Sequence, residues 1–200
     1  MDKLQKLVIA SNNQGKLLEI NALLAPLSIK AVPQSDFNAG EVDEPYATFV
    51  ENALAKARHA SRCSGLPALA DDSGICVSAL NGAPGVASAR YAGEPKSDKR
   101  NNLKLIEALE NQSDRRAYYY CVIVLVRHAD DPQPIIVDGS WYGEIADQPR
   151  GEGGFGYDPY FFVPEFGKTS AELTAAQKNR ISHRGQALAH LVEILRAGKF

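Results

Sequence analysis

Six residues, Ser11-Asn12-Asn13-Gln14-Gly15-Lys16, sit between an apolar strand-like run, Leu7-Val8-Ile9-Ala10, and a helix-like stretch from Leu17 to Leu24. Short polar side chains and a glycine at a strand-to-helix turn leave backbone N–H groups open, and a helix start adds partial positive charge, so the segment reads as a phosphate cradle. Lys16 supplies a full charge within reach of the same anion. The Gly-Lys-Ser/Thr ending of a Walker A loop, with its glycine upstream, is absent, which disfavours an ordinary P-loop ATPase or GTPase. A plain polar connecting loop is the other reading of these residues.

Asp71-Asp72-Ser73-Gly74, after the short apolar run Pro67 to Ala70, forms the second group with chemical potential. Adjacent strand residues point to opposite faces, so one carboxylate is expected to enter a pocket while the other turns to backbone or solvent. A hard cation such as Mg²⁺ takes carboxylate and phosphate oxygens together and keeps several waters, so one or two acids beside a phosphate cradle suffice to hold it. An Asx-type turn, in which both acids satisfy backbone N–H groups, is the alternative. Glu41, Asp43 and Glu44 offer a further metal-side carboxylate, although a charge run of this kind is more often a solvated surface. Lys56 and Arg58, on an Ala-rich helix, serve either phosphate or solubility.

Glycines flank an aromatic residue in Gly151-Glu152-Gly153-Gly154-Phe155-Gly156-Tyr157-Asp158-Pro159, so the backbone can present a ring at the surface, where a nucleobase stacks. A hairpin turn with a buried Phe155 is the competing reading. Lys178-Asn179-Arg180-Ile181-Ser182-His183-Arg184 places donors around the start of the last helix, with Ser182 as its N-cap; a capped, solvated basic face is the alternative. His59, His128 and His190 have no metal-like spacing.

These groups need a scaffold, and the chain supplies one of α/β type. Ile29 to Val32 reads as a second strand, and Thr48 with Glu51 as a capping box opening a helix that closes at Gly65. Ile75 to Leu80 resumes strand character after the Asp-Asp-Ser-Gly break. Ser97 caps a helix to about Glu110 whose core stripe is Leu103, Ile106 and Leu109. Ala117 to Val126 is a central strand with Pro134 to Ile145 as antiparallel partner, and Tyr160 to Val163 is a further strand. The C-terminal helix carries Leu188, Leu191, Val192 and Leu195 on one face and ends at Gly198. The pattern predicts a mixed, twisted sheet flanked by helices, in a single domain over residues 1–200.

With 44% hydrophobic residues the chain can bury a substantial core. Its formal charge of −2, from 22 basic and 24 acidic residues, gives no global attraction to nucleic acid or to an anionic membrane. A polyanion must therefore be held locally. Cys63, Cys76 and Cys121 are odd in number and widely spaced, as for reduced thiols in a cytoplasmic protein. No apolar run reaches membrane-spanning length and the N-terminus lacks an export-signal core, so neither a membrane nor an exported location is expected.

Taken together, Ser11-x-Asn13-x-x-Lys16, Ala70-Asp71-Asp72-Ser73-Gly74, Gly82-Ala83-Pro84-Gly85 with Ser88-Ala89-Arg90-Tyr91, Gly154-Phe155-Gly156-Tyr157-Asp158 and Ser182-His183-Arg184 resemble one family. It is that of the inosine/xanthosine triphosphate pyrophosphatases, and the matches run in order from Ser11 to Arg184. The resemblance implies two lobes with the active-site cleft between them, a homodimer, and Mg²⁺-dependent hydrolysis of deaminated purine nucleoside triphosphates (ITP, dITP, XTP) to monophosphate and pyrophosphate. It implies that Ser11, Asn12, Asn13, Gln14, Gly15, Lys16 and Lys56 hold phosphates, and that Glu44 and Asp72 hold the metal. Asp72 would be the water-activating base, with Ser73 on the nucleotide. Phe155, with Gly156 and Tyr157 beside it, would stack on the purine, and Asp158, Lys178, His183 and Arg184 would read its edge. A pyrimidine-directed relative, a non-catalytic nucleotide sensor and a nucleic-acid module are the competing readings; Asp72 and the absence of an extended basic stripe disfavour the last two.

Overall fold

The structure is a computed structural model that describes residues 4–12, 14–40 and 42–198; of Gln14 and Glu19 only the backbone is described. Asn13 and Glu41, both named above, lie outside the described residues. Seven strands form one sheet in the order β2-β1-β3-β4-β5-β6-β7. They are β1 (Lys6–Ile9), β2 (Lys30–Pro33), β3 (Ala68–Val77), β4 (Arg116–Val126), β5 (Ile135–Ile145), β6 (Phe161–Val163) and β7 (Lys168–Thr169). β1 pairs in parallel with β2 and with β3, whereas β6 pairs antiparallel with β5 and with β7. β4 and β5 are consecutive neighbours, and the Ile145 amide at the end of β5 donates to the carbonyl of Arg115, the residue just before β4, an antiparallel arrangement. The expected mixed α/β sheet is therefore present.

Among the described residues five α-helices accompany it: α1 (Gln14–Leu24), α2 (Phe49–Ser64), α3 (Asp98–Ala108), α4 (Ala175–Ile181) and α5 (His183–Arg196). The described chain forms two compact units. The first comprises Met1–Asp72, Val122–Asp138 and Gln186–Phe200, and the second Ser73–Cys121 and Gly139–Gly185. The boundaries fall inside β3, β4 and β5.

In the first unit, α2 packs on β1, and its Ala53, Ala57 and Ala60 are fully buried. Small side chains at this helical spacing bring the helix backbone close to the sheet, so polar residues one position away on α2 come near the strand ends. α2 begins where sequence chemistry places it: the Thr48 hydroxyl accepts from the Glu51 amide at 3.3 Å, and Gly65 closes the helix with a φ of 68°. The Thr48 hydroxyl in turn donates to the Glu51 carboxylate at 2.6 Å.

In the second unit the core gathers Ile75, Val77, Leu105, Leu109, Tyr119, Trp141, Tyr157 and Phe161. The stripe expected on α3 is corrected here, since Leu103 is exposed while Leu105 and Leu109 are buried together with Asn101 and Asn102. Polar residues go inside because backbone partners await them: Asn101 receives the Ala92 amide and donates to the Ser88 and Ala89 carbonyls. A second correction concerns β3, which runs unbroken through Asp71-Asp72-Ser73-Gly74 rather than turning there. The two acids have lysine partners and do not need the backbone N–H groups that a turn would offer. No helix among the described residues is long and apolar enough to cross a membrane.

Candidate active site

The first unit carries a cluster of opposed charges around the middle of β3. Asp71 is buried, and both its oxygens accept from the Lys16 ammonium at 2.8 Å. Lys16 sits on the first turn of α1, directly after the cradle segment, so strand β3 and the start of α1 are tied by a charged contact. Asp72 engages a different lysine. Its Oδ1 accepts from Lys56 at 3.1 Å, while Lys56 also donates to Glu44 Oε1 at 2.6 Å. Strand alternation thus sends the two acids to two cations, and neither is left to solvent or to the backbone.

Burial pulls the Lys56 ammonium down, but the carboxylates of Asp72, Glu44 and Asp71 outweigh it and hold the group above its ordinary value. Asp72 moves up as well. Burial drives that shift, the Lys56 charge opposes it, and the neighbouring Glu44 and Asp71 charges add to it. A carboxylate made more basic than usual, in a cluster of charges, is suited to taking a proton.

Asn52, one turn before Lys56 on α2, was not singled out from the sequence. It is almost fully buried, its Oδ1 accepts from the Tyr46 amide at 3.1 Å, and its Nδ2 donates to the Tyr46 carbonyl at 3.2 Å and to Asp72 Oδ2 at 3.4 Å. One side chain therefore braces both the acidic loop near Glu44 and Asp72. The signal was its four-residue spacing from Lys56, which places both on one helix face.

The second unit carries a cluster of another kind. Asp158 is buried and receives four donors: the Phe155 amide at 2.9 Å, the Ser170 hydroxyl at 2.9 Å, the Tyr119 phenol at 3.5 Å and the Lys178 ammonium. Gly154 makes this possible, since its φ is +76° and a Cβ there would lie 2.1 Å from Asp158 Oδ2. Phe155 itself is 64% exposed, with the Lys178 ammonium 5.0 Å from its ring centre, so the buried-aromatic reading of this loop is set aside.

Lys178 lies on α4, a separate seven-residue helix ahead of the last one that the sequence reading did not place. Thr174 and Gln177 form its capping box, a Thr-x-x-Gln signal that is present in the sequence. Ser182 then caps α5 as expected, accepting from the Gly185 amide at 3.1 Å. A Cβ on Gly185 would meet the Asn179 carbonyl oxygen at 1.9 Å, so only glycine permits this close corner between α4 and α5. The corner places His183 and Arg184 in buried positions: the His183 imidazole stacks on Tyr119 at 4.9 Å, and Arg184 donates to the Ser73 hydroxyl at 3.4 Å. Tyr157 turns inward and its phenol donates to the Ser88 carbonyl at 2.8 Å.

The structure thus brings together Lys16 with Asp71, Lys56 with Glu44 and Asp72, and Phe155 with Asp158 and Lys178. Ser11 is half-buried, and Asn12 and Gly15 are exposed, where β1 meets α1. One unit thus carries a lysine-and-carboxylate cluster about β3, and the other an exposed aromatic ring whose backbone amide is held by a buried acid.

A family model described as the Ham1 family matches residues 7–194. A Nitrosomonas europaea protein named dITP/XTP pyrophosphatase is 70% identical over 192 residues, covering 96% of this chain and 95% of that protein. A Ralstonia nicotianae protein of the same name is 65% identical, covering 96% and 98% respectively. Among solved structures, a HAM1 protein from Coxiella burnetii superposes with a TM-score of 0.95 at 52% identity, covering 97% of this chain and 100% of that one. The chain belongs to the Ham1 family.

Proposed function

We propose that this chain hydrolyses deaminated purine nucleoside triphosphates, ITP, dITP and XTP, to the nucleoside monophosphate and pyrophosphate. The relatives named dITP/XTP pyrophosphatase, at 70% and 65% identity over nearly the whole chain, support both the reaction and the substrate class. The structural observation that carries the reading is the meeting of Glu44 and Asp72 on the Lys56 ammonium, with Asp71 on Lys16 one residue back along β3.

Glu44 and Asp72 fit a Mg²⁺ ion, because their oxygens already converge on one positive group and a hard cation takes the same donors. When bound, the ion neutralises charge on the triphosphate and on the departing pyrophosphate. Lys16 and Lys56, with the β1–α1 segment from Ser11 to Gly15, hold the phosphate oxygens. Asp72 takes a proton from water as that oxygen attacks the α-phosphorus. The bond from that phosphorus to the bridging oxygen breaks, and the electron pair leaves with pyrophosphate.

Phe155 stacks on the purine, and Lys178, His183 and Arg184 donate toward its edge. A 6-keto purine offers an acceptor to such donors, whereas the amino group of adenine leaves them unpaired at a cost of about 1–3 kcal/mol each. Asp158, whose oxygens already receive four donors, acts on the base by fixing Lys178 and the Phe155 amide. The same reading includes a homodimer, which the family resemblance supports, and a cytoplasmic setting, which suits Cys63, Cys76 and Cys121 standing outside any disulfide.

The test is a panel of ITP, dITP, XTP, GTP and ATP with Mg²⁺ and product identification. Pyrophosphate released from the deaminated purines in preference to ATP is expected. Release of orthophosphate, or equal turnover of ATP, overturns the reading.

A further inference from the structure

The purine-stacking loop has a grip that the family resemblance does not include. Gly156, immediately after Phe155, is held at both ends of its own peptide groups by the first turns of α3. Its N–H donates to Asp98 Oδ2 at 2.7 Å, and its carbonyl accepts from Asn102 Nδ2 at 2.8 Å. Asp98 and Asn102 are four residues apart and so share one helix face, and the same Asn102 amide also donates to the Asp98 carbonyl at 2.9 Å. Those two carbonyl acceptors identify the nitrogen end of the Asn102 side chain.

Asn102 is 7% exposed, and its Oδ1 is buried with no hydrogen-bond partner among the described residues. A buried acceptor without a partner is unfavourable, and an apolar residue at this position of α3 would avoid the cost. The loop, meanwhile, needs restraint. Gly154 and Gly156 both have positive φ, 76° and 62°, and flank a ring that is 64% exposed and lacks a core to seat it. Backbone that glycine leaves free must be ordered before a base can stack on the ring, and ordering it at the moment of binding weakens binding.

We propose that Asp98 and Asn102 are positioning residues for purine recognition, which hold the Gly156 peptide so that Phe155 is presented in its stacking orientation before substrate arrives. The inference rests on the reading that Phe155 stacks on the base. It assigns specificity to α3, an element that carries none of the residues assigned above to the phosphates.

Steady-state kinetics with ITP and ATP in the presence of Mg²⁺, on Asn102→Ala, Asp98→Ala and Asp98→Asn, test it, with Phe155→Ala alongside. Losing one arm of the grip is expected to raise KM for ITP by about 3- to 10-fold, leave kcat within about 2-fold, and narrow the preference for ITP over ATP. Asp98→Asn, which keeps an acceptor for the Gly156 amide, is expected to restore most of the loss. Calorimetric titration with IMP gives a readout independent of turnover, and weaker binding is expected in both alanine variants. Should Asn102→Ala fail to fold, exposed Asp98 carries the test alone. If Phe155→Ala raises KM but the Asp98 and Asn102 variants leave KM and IMP affinity unchanged, the grip is refuted while the stacking reading stands. If Phe155→Ala itself has no effect on KM or on the ITP preference, the stacking reading falls and the grip falls with it.

Discussion

The two charged clusters of this molecule are built in opposite ways. Around β3 in the first unit, Lys16, Lys56, Glu44, Asp71 and Asp72 are carried by regular elements and one acidic loop, and most of these groups keep partial access to water. Around Asp158 in the second unit, one buried acid organises a loop, a short helix and a helix corner, and the group it serves, Phe155, is the exposed one. In the first the chemistry is in the charges themselves; in the second a charge is spent on holding an uncharged ring. On the proposed reading the first cluster meets a triphosphate, which is similar in every nucleotide and calls for charge and a base. Purine identity is a matter of geometry, which demands a fixed frame.

Substitutions can break this contrast, and the largest expected effect is at Asp72. Asp72→Asn is expected to lower kcat by about 100- to 10,000-fold while nucleotide binding persists and Tm moves little, measured by pyrophosphate release, titration calorimetry and thermal unfolding. Retained turnover would remove Asp72 from the role of base. Asp158→Asn is expected to do the reverse. Removing one partner of a buried pair costs about 3–5 kcal/mol, which lowers Tm by about 10 °C and erodes the ITP preference. A variant with native Tm and native selectivity would show that Asp158 is not the organising group.

Phe155→Ala comes third. Because the ring is exposed, Tm is expected to stay within about 2 °C, while KM for ITP rises by about 5- to 100-fold, matching about 1–3 kcal/mol of base stacking. The smallest effect serves as a control in the first unit. Asp131, fully buried, takes the Arg127 guanidinium and the Arg127 and Gln133 amides, and these hold its carboxyl well below the usual carboxylate range. A depressed folded value contributes stability that is present above the unfolded value of about 3.9 and is lost as pH falls through the folded one. Asp131→Asn is therefore expected to lower Tm by a few degrees at pH 7 with kcat and KM unchanged. Its gap from the native protein should close progressively below about pH 4, and a gap independent of pH would count against the charge.

Local chemistry was readable wherever neighbours in sequence settle it. Thr48 and Gly65 bound α2, Ser182 starts α5, and the β-branched run from Ala117 gives β4. Reading failed where a distant partner decides. Asp71-Asp72-Ser73-Gly74 carries turn residues, yet β3 continues because Lys16, 55 positions away, and Lys56 supply the partners. On α3 the apolar spacing pointed to Leu103, but carbonyls at Ser88 and Gly156 draw Asn101 and Asn102 inward. The short helix α4 was overlooked although Thr174 and Gln177 mark it, since seven residues give too little periodicity to register.

The lysines of the first unit are already matched by carboxylates, and this bears on product inhibition. An anion that settles there has to compete with Asp71 for Lys16 and with Glu44 and Asp72 for Lys56. On the proposed reading, a more highly charged anion competes better for the two ammonium groups than a less charged one. On the same reading, Asp71, Glu44 and Asp72 stand in place to pair again with Lys16 and Lys56 once the phosphates leave.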